Sequence, residues 1–313
     1  MPNTILKAPE KTPLDRLIDD YLAHCRARGL SSKTVKFVYA YVLRNVFTPF
    51  CQREGITEPS QVTRRAMDRF TTELLDGTGR PKPLARTPVH SYGRGVNSFL
   101  RWAAGEGEIK PDVKAQLPRL GRKIIDVLSR DEIMQMEDAS QTERDRLIIR
   151  VLADTGIRVG ELVGLSTYDV VAQGRRNYIK VLGKGSLERL VPIGPALHAR
   201  LRKYIDRQRP KHAFGDALFV SHRRLDGEYG GLSASGVEQM VSGLAENAGI
   251  KKRVWPHLLR HSFITWSLTK GMNPIQLAQI VGHSSLTMIQ QVYSHLTAGD
   301  AYDAMIRVLR TDN

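Results

Sequence analysis

Several features are scarce or missing in this sequence of 313 residues, and each absence argues against a class of protein. There are two cysteines, Cys25 and Cys51, both within apolar helical patterns, so we expect no disulfide framework, no Cys/His metal site and a reducing cytoplasm. No apolar run approaches the roughly 20 residues of a membrane span. The N-terminal residues contain no apolar stretch typical of a signal peptide, so we expect neither a membrane protein nor a secreted one.

Acidic residues are scarce relative to basic ones. Lys and Arg number 47 against 32 Asp and Glu, which gives a formal net charge of +15 and a pI near 10.0. The first 120 residues contain 20 basic and 12 acidic residues and the remainder 27 and 20, so the excess is +8 and +7. A basic excess spread over the whole chain favours contact with a long polyanion, usually nucleic acid, although a merely soluble basic protein would also fit.

Helical periodicity dominates the first hundred residues, and hydrophobic residues make up 41% of the chain, enough for a sizeable core. Four helices are predicted, beginning at Thr12-Pro13, Ser31-Ser32, Thr63 and Pro88. The second helix is predicted to bury Val35, Val38, Tyr39, Val42, Leu43 and Val46. We interpret residues 1–112 as a small helical DNA-clamp domain. The exposed cations expected to contact the DNA backbone, or simply to be solvated, are Lys33, Lys36, Arg64, Arg65, Arg94 and Arg101.

A second domain is predicted over residues 127–313, after a linker at 113–126 that is rich in Pro, Gly and charge. It opens with the capping box Ser129-Arg130-Asp131-Glu132. A β-hairpin is predicted from strands 177–182 and 189–193, with Lys184 at its tip. The other predicted elements are helices 142–155, 158–165, 195–208, 233–248, 257–270, 274–281, 285–296 and 299–310, and a short strand at 217–220.

Two arginines and a tyrosine in this second domain suit the cleavage of a phosphodiester. Negative charge gathers on the non-bridging oxygens in the transition state, and planar guanidinium groups such as those of Arg158 and Arg260 can meet it with paired hydrogen bonds. Tyr293 can serve as the nucleophile, but a phenol with a pKa of ~10 needs a nearby base or a strongly positive site.

The remaining roles have candidates as well. Lys184 could protonate the departing 5′ oxygen as a general acid. His257 precedes Arg260 by three positions on one predicted helix, so both side chains can face one pocket. His283 begins a predicted helix and can donate to a phosphate oxygen. Taken singly, each residue has an ordinary structural explanation, such as a core tyrosine, a solvated arginine or a turn lysine, so the combination carries the prediction.

The ordered motifs closely resemble those of the tyrosine recombinase (phage integrase and Xer-like) family. They are Thr155-Gly156-Ile157-Arg158-Val159-Gly160-Glu161-Leu162, Gly183-Lys184-Gly185, His257-Leu258-Leu259-Arg260-His261, Gly282-His283-Ser284-Ser285 and Val292-Tyr293-Ser294-His295. The resemblance covers roughly residues 127–296, and the helical N-terminal region is similar to the family's core-binding domain by pattern only. It implies a fold that is mainly α with a small β-sheet, with a four-helix core-binding (SAM-like) domain followed by a catalytic domain.

The resemblance also implies an activity and a set of partners. A site-specific recombinase of this family cleaves one strand through a 3′-phosphotyrosyl link, frees a 5′-hydroxyl and exchanges strands through a Holliday junction, without metal, cofactor or ATP. The expected partners are double-stranded DNA with an inverted-repeat site and three further copies of the chain, in a homotetramer. The tail at 299–313 is expected to dock on a neighbouring subunit, or alternatively on its own domain. No membrane is expected, and the location is cytoplasmic, with the nucleoid.

Within the resemblance, Arg158, His257, Arg260 and His283 match the phosphate-binding and acid/base set, and Glu161 is expected to orient Arg158 through a salt bridge. Two alternatives remain open. Lys180 is close to Lys184 in sequence, and Tyr302 is a second candidate nucleophile, although it has no Gly-His pair at a suitable distance before it. At the level of function, a type IB topoisomerase uses the same covalent chemistry to relax supercoils, and a DNA-binding accessory protein with an idle site is the third possibility.

Overall fold

The computed structural model of the protein describes residues 11–79, 82–121, 126–183, 187–213, 215–225 and 227–282, together with residue 306. Internal contacts divide the chain into two units, Met1–Lys123 and Ile124–Asn313, each with its own hydrophobic core. The predicted helices 285–296 and 299–310 lie outside the described residues, as do Lys184, His283 and Tyr293. Among the residues that are described, no helix has the length and apolar character needed to cross a bilayer.

Helix-start signals in the sequence correctly predict most of the first unit. Its α-helices are α1 (Pro13–Ala27), α2 (Thr48–Arg53), α3 (Arg64–Asp76) and α4 (Arg86–Gly105), and a short 3₁₀ turn spans Pro59–Gln61. Thr12 and Asp15 form the capping box of α1, and the Thr63 hydroxyl accepts from the backbone N–H of Ala66 at the start of α3. Helix α4 begins two residues before Pro88, since proline fits the first turn of a helix.

The second predicted helix is present, but its winding differs from the prediction. Residues 32–53 form one helical run, here called the long helix, in which Thr34–Ala40 and Leu43–Phe47 are π-helical and α2 is the last part. Because π-helical bonds span five residues, the 3.6-residue pattern loses register. Val38, predicted to be buried, is therefore 46% exposed. Pro49 follows the second π-helical segment, where the local rewinding accommodates its missing N–H.

The core of the first unit is aromatic. Phe70 packs edge-on against Phe47 and Phe50, with ring centroids 5.6 and 5.2 Å apart. The start of the predicted linker also belongs to this core: Ala115 is buried and exchanges two hydrogen bonds with the Asn97 side chain. Both cysteines are buried in the unit as free thiols.

The second unit is mainly helical with two small sheets. Its helices are α5 (Arg130–Asp138), α6 (Glu143–Thr155), α7 (Val159–Val163), α8 (Pro195–Lys203), α9 (Ala234–Asn247), α10 (Pro256–Thr269) and α11 (Pro274–Val281). A 3₁₀ turn spans Thr167–Asp169, and Tyr204–Gln208 continues α8 as a π-helix. Its strands are β1 (Val170–Gln173), β2 (Arg176–Leu182), β3 (Glu188–Ile193), β4 (Val220–Leu225) and β5 (Glu228–Gly231).

The sheets agree with the prediction in part. Strands β2 and β3 form the predicted antiparallel hairpin, with Val181 opposite Arg189, and β1, which was not predicted, pairs with the outer edge of β2. The strand predicted at 217–220 is wrong: β4 begins only at Val220, where its partner β5 becomes available. Leu218 is buried and its N–H bonds to the carbonyl of Leu165, so the apolar run reflects burial rather than a strand.

Helix α6 lies in the centre of the second unit, with eight of its thirteen residues buried, whereas α11 is held by a smaller, separate cluster. A small cluster joins α10 to α11 and is formed by Phe263, Ile264, Leu268, Leu277, Ala278 and Val281. Burial of these side chains fixes the direction in which α11 points. Its C-terminal end therefore lies beside α7 and β3, where the predicted arginines are found.

Candidate active site

Three arginines of the second unit converge on the C-terminal end of α11. Arg189 donates from Nε to the carbonyl of Ile280 (2.8 Å), and Arg260 donates from Nη2 to that of Val281 (2.8 Å). Arg158 donates from Nη2 to the carbonyl oxygen of Gly282 (3.0 Å). The last carbonyls of a helix lack partners within the helix and carry partial negative charge, so cations are stabilised there.

Arg158 is held in place from two directions. It is the N-cap of α7, where its backbone N–H donates to Oε2 of Glu161 (2.8 Å). Its Nη1 donates to Oε1 of the same carboxylate (3.0 Å), which is the salt bridge expected from the sequence. Burial alone would raise the pKa of Glu161, but hydrogen bonds from Arg189 and Arg158 lower it below its usual value, so the carboxylate stays ionised.

Arg260 lies deeper than Arg158. It is 4% exposed and donates to the carbonyls of Gly156 and Val281, so it connects the end of α6 to the end of α11. Burial, and then the positive charge of Arg158, lower the pKa of Arg260 to about 10, which leaves the guanidinium charged at neutral pH. Hydrogen bonds to carbonyls allow the buried charge to persist.

The three guanidinium groups differ in how many donors they have left. Each has five N–H groups. Toward other described residues, the side chains of Arg158 and Arg260 make two hydrogen bonds each, whereas Arg189 makes four. Glu161 is the one carboxylate these hydrogen bonds reach, so three cations exceed it by two formal charges. Within the described residues, Arg158 and Arg260 therefore have donors available for an anion, whereas Arg189 is almost saturated.

His257 stands at the start of α10, one turn before Arg260. The residue is exposed overall, but protein atoms on one side partly shield the ring from water. This desolvation, followed by the charges of Arg260 and Arg158, lowers the pKa of the imidazole. At neutral pH the imidazole is therefore mainly neutral and can accept a proton. His261, four positions later on α10, is half-buried, and burial, followed by the charge of His257, lowers its pKa as well.

The hairpin reaches the arginine cluster at its base. Gly183 closes the base through a hydrogen bond from its N–H to the carbonyl of Leu187 (2.8 Å). A Cβ added at Gly183 would lie 3.4 Å from Nη1 of Arg189, so the base of the hairpin borders the cluster. Lys180, the alternative lysine, lies on the other face of the hairpin from Arg189 and pairs with Glu188 (3.6 Å).

Gly282 allows the end of α11 to approach the cluster closely. Its φ of +68° is in the left-handed region that terminates helices and favours glycine. A Cβ added here would lie 2.9 Å from Cζ of Arg189, closer than side chains tolerate. His283 follows Gly282 in the chain. The structure thus brings together Arg158, His257 and Arg260 among the predicted site residues.

Arg189 is the residue of this cluster that the sequence interpretation missed. The predicted hairpin contained a signal for it: alternation along β3 places Arg189 on the same side as Val191, which is fully buried. A charged residue at an inward position needs a buried partner of opposite charge. Nothing in the local pattern shows that the partner is Glu161, 28 positions earlier in the chain.

A partly buried group of arginines with spare donors, next to a neutral histidine, is typical of enzymes that act on phosphate esters. Comparison with known proteins specifies the class. The sequence profile of the phage integrase family matches residues 126–299, which is more than half of the chain. The tyrosine recombinase XerD of Oceanobacillus iheyensis is 34% identical over 296 residues, and that of Listeria monocytogenes is 29% identical over 296 residues. Both alignments cover 91% of this chain and 95% of the relative.

Two solved structures share the fold. The XerH site-specific recombinase, in a post-cleavage complex with palindromic difH DNA, has a TM-score of 0.67 at 18% identity, covering 95% of this chain and 97% of XerH. A lambda integrase tetramer bound to a Holliday junction has a TM-score of 0.63 at 19% identity, covering 91% of this chain and 78% of the integrase chain. The protein therefore belongs to the phage integrase family and is a tyrosine-type site-specific DNA recombinase, with the fold class predicted from its sequence.

Proposed function

We propose that this recombinase cleaves DNA by attack of Tyr293 on a phosphodiester that Arg158 and Arg260 hold. The observation that best supports the proposal is the arginine cluster at the end of α11, where these two side chains retain three N–H groups each toward the described residues. The two non-bridging oxygens of a phosphodiester have several lone pairs and can accept paired hydrogen bonds from both guanidinium groups. The guanidinium pair would stabilise the charge that develops on the non-bridging oxygens.

In the proposed step, the phenolic oxygen of Tyr293 bonds to phosphorus while the bond from phosphorus to the 5′ oxygen breaks. Lys184 gives its proton to the departing 5′ oxygen, and His283 donates a hydrogen bond to a non-bridging oxygen. The phenolic proton passes to a base, for which His257 is suited because its lowered pKa keeps it neutral at pH 7. The product is a 3′-phosphotyrosyl ester and a free 5′-hydroxyl. Because the ester conserves the bond energy, a 5′-hydroxyl of a partner strand can reverse the step without ATP or metal.

The test traps the covalent product. DNA duplexes would first be selected from a random library by the wild-type protein, and then nicked at successive positions so that a short fragment diffuses away after cleavage. We expect wild-type protein in EDTA to give a labelled strand–protein adduct on a denaturing gel. Tyr293→Phe should bind the same duplexes and give no adduct, whereas Tyr302→Phe should behave like the wild type. An adduct formed by Tyr293→Phe would refute the assignment.

We further propose that residues 1–112 form a domain that grips DNA beside the catalytic domain at 127–313, with 113–126 as the linker. Its DNA-facing surface would be formed by the long helix and α4. Residues 31–53 and 86–105 contain no Asp or Glu, whereas α1 and α3 contain three acidic residues each. The two helices pack together, since a Cβ added at Gly95 of α4 would lie 3.4 Å from Cγ1 of Val42. A surface with cations and no acids suits a phosphate backbone.

The same surface has an apolar centre. Phe37 and Tyr41 of the long helix are 64% and 46% exposed, and Nζ of Lys36 lies 5.4 Å from the Phe37 ring. Tyr41 also lies 6.3 Å, centroid to centroid, from Tyr92 of α4. Apolar side chains among cations can contact thymine methyl groups while the cations bind phosphates. We assign base recognition to this centre and backbone contact mainly to Lys33, Lys36, Arg94 and Arg101. Arg64, which pairs with Asp112, and Arg65 would contribute less.

The substrate we propose is a DNA site with inverted repeats, acted on by four copies of the chain in the compartment that holds the chromosome. XerH was solved on palindromic DNA and lambda integrase as a tetramer on a Holliday junction. Residues 299–313 would dock on a neighbouring copy. Removing them should lower the sedimentation coefficient of the protein–DNA assembly, and an unchanged coefficient would contradict docking between copies. Mixing two labelled sites separates strand exchange from relaxation alone.

A further inference from the structure

Arg189 makes contacts that the proposed chemistry does not use. Its side chain is 15% exposed and points from β3 toward α7 and α11. Nη1 and Nη2 donate to the two oxygens of Glu161 (3.0 and 2.8 Å), which is a paired interaction of the kind that fixes orientation as well as distance. Nε donates to the carbonyl of Ile280 (2.8 Å) and Nη2 to that of Val281 (3.4 Å).

These contacts join two parts of the proposed active site that are far apart in sequence. Glu161 holds Arg158 through its backbone and its side chain, so the orientation of that carboxylate determines where the Arg158 guanidinium points. The carbonyls of Ile280 and Val281 belong to the last turn of α11, directly before Gly282 and His283. Arg189 therefore links the phosphate-binding arginine to the segment that leads to the proposed nucleophile.

Arg189 itself is a poor candidate for binding the phosphate. Four of its five N–H groups are engaged by described residues, whereas Arg158 and Arg260 keep three each. The Glu161 carboxylate also neutralises its charge at short range. Gly282 packs against its guanidinium so closely that an added Cβ would lie 2.9 Å from Cζ and Nη1. A guanidinium enclosed in this way can hold neighbouring groups in place but has little access to a ligand.

We propose that Arg189 is a positioning residue, which fixes the end of α11 relative to the Glu161–Arg158 pair and so aligns the nucleophile with the bound phosphate. The proposal rests on the catalytic roles proposed above for Arg158 and Tyr293. It assigns Arg189 to the phosphate and nucleophile side of the reaction and not to protonation of the leaving oxygen by Lys184. Loss of Arg189 should therefore slow cleavage while leaving DNA binding nearly intact.

The first experiment needs no DNA. Hydrogen exchange of free full-length protein would compare wild type with Arg189→Gln and Arg189→Lys, the second of which keeps the charge and one donor group. We expect amides of residues 277–282 to exchange at least about tenfold faster in Arg189→Gln, less so in Arg189→Lys, and amides of α5 and α6 to keep their wild-type rates. Unchanged exchange at 277–282 would overturn the proposal, and so would faster exchange throughout the unit, which indicates a general structural role.

The second experiment measures cleavage on duplexes selected by the wild type, with either oxygen or sulfur as the bridging 5′ atom at the mapped scissile position. A sulfur leaving group departs without a proton, so it bypasses a general acid. Lys184→Ala should be slow on oxygen and restored on sulfur. Arg189→Gln should be slowed about 100-fold on both, with duplex affinity within about threefold of wild type, and Arg189→Lys should recover part of the rate.

The outcomes separate the two proposals. If Arg189→Gln regained the wild-type cleavage rate on the sulfur duplex, Arg189 would act together with the general acid, and the positioning role would be overturned. A wild-type cleavage rate of Arg189→Gln on the oxygen duplex would overturn it as well. Glu161→Gln combined with Arg189→Gln should be no slower than the worse single variant, because both changes break the same link; additive losses would contradict it. A wild-type protein that forms no adduct would count against the proposed chemistry. Hydrogen exchange at residues 277–282 would still show whether Arg189 holds the end of α11.

Discussion

The two units both concentrate positive charge, but they hold it in opposite ways. On the long helix and α4, the cations Lys33, Lys36, Arg94 and Arg101 are exposed and, within the described residues, form no ion pairs. In the second unit, the side chains of Arg189 and Arg158 are 15% and 39% exposed, and they are tied to Glu161 and to helix carbonyls.

From this difference we expect the first set of cations to contribute mainly to DNA affinity and the second mainly to the chemical step. Exposed cations in water are screened by salt and have no fixed direction, so they contribute attraction that depends little on sequence or geometry. Cations held in a partly buried, lower-dielectric site interact more strongly and are already oriented, so they can stabilise a transition state without first reorganising. The cost of burying them is offset by Glu161 and by the carbonyls at the end of α11. Removal of a cation from the first unit should therefore lower the affinity for DNA, whereas removal of an arginine from the second unit should lower the cleavage rate.

The largest effect should follow from Arg158→Ala. Loss of one oriented donor pair should lower the cleavage rate of bound duplex by about 10³-fold, while the duplex affinity changes by less than about threefold. Single-turnover cleavage at saturating protein, together with a binding titration, measures the two quantities. The matched change in the other unit, Arg94→Ala, should lower affinity and leave the rate constant of the bound complex unchanged. If both variants lost affinity alone, or both lost cleavage rate alone, the proposed difference between the two units would be wrong.

The next effect is on stability and compares two glycines of the second unit. Gly282 and Gly249 have similar positive φ values of +68° and +72°. A Cβ added at Gly282 would lie 2.9 Å from the Arg189 guanidinium, whereas one added at Gly249 would have no atom within 4 Å. Gly249→Ala should lower the free energy of unfolding by about 1 kcal/mol from backbone strain, and Gly282→Ala by about 2–3 kcal/mol because overpacking is added. Denaturant unfolding measures both. Equal losses would mean that the end of α11 is not tightly fitted.

Smaller changes are expected for the exposed lysines. Replacing Lys33 and Lys36 together with glutamine should weaken duplex binding about tenfold at moderate salt. It should also reduce the slope of log affinity against log salt by about 0.9 for each phosphate that the protein no longer neutralises. Arg64→Gln is the control, because Arg64 pairs with Asp112 at 2.7 Å on the surface of the same unit and should change the slope less. A salt slope that stays at the wild-type value in the double variant would remove these lysines from the interface.

The smallest effect should come from Phe37→Ala. If its exposed ring contacts a thymine methyl, replacing that thymine with uracil should weaken wild-type binding about fourfold, the equivalent of one buried methyl group. The variant should bind both duplexes equally. Leu75, which is 37% exposed on α3, offers the control, since Leu75→Ala should keep the preference for thymine. A preference that survives in Phe37→Ala would place base recognition elsewhere.

Local sequence signals predicted most elements of the fold, because their causes are local. Thr12, Thr63 and Ser129 cap the helices that they were predicted to begin, and the hairpin of β2 and β3 has the predicted strands. The failures occur where a partner decides the outcome. Strand β1 is paired only because β2 lies beside it, and the exposure of Val38 follows from π-helical winding that the 3.6-residue pattern does not contain.

The site divides in the same manner. The residue types and their order determined that the chain carries phosphodiester chemistry, since two arginines, a hairpin lysine, two histidines and a tyrosine occur in ordered motifs along the sequence. Only the tertiary structure decided how the arginines are used. It placed three of them at the end of one helix, where Arg158 and Arg260 each keep three N–H groups that no described residue accepts from. It also engaged Arg189 with Glu161 and α11, because hydrogen-bond saturation depends on neighbours that are distant in the chain.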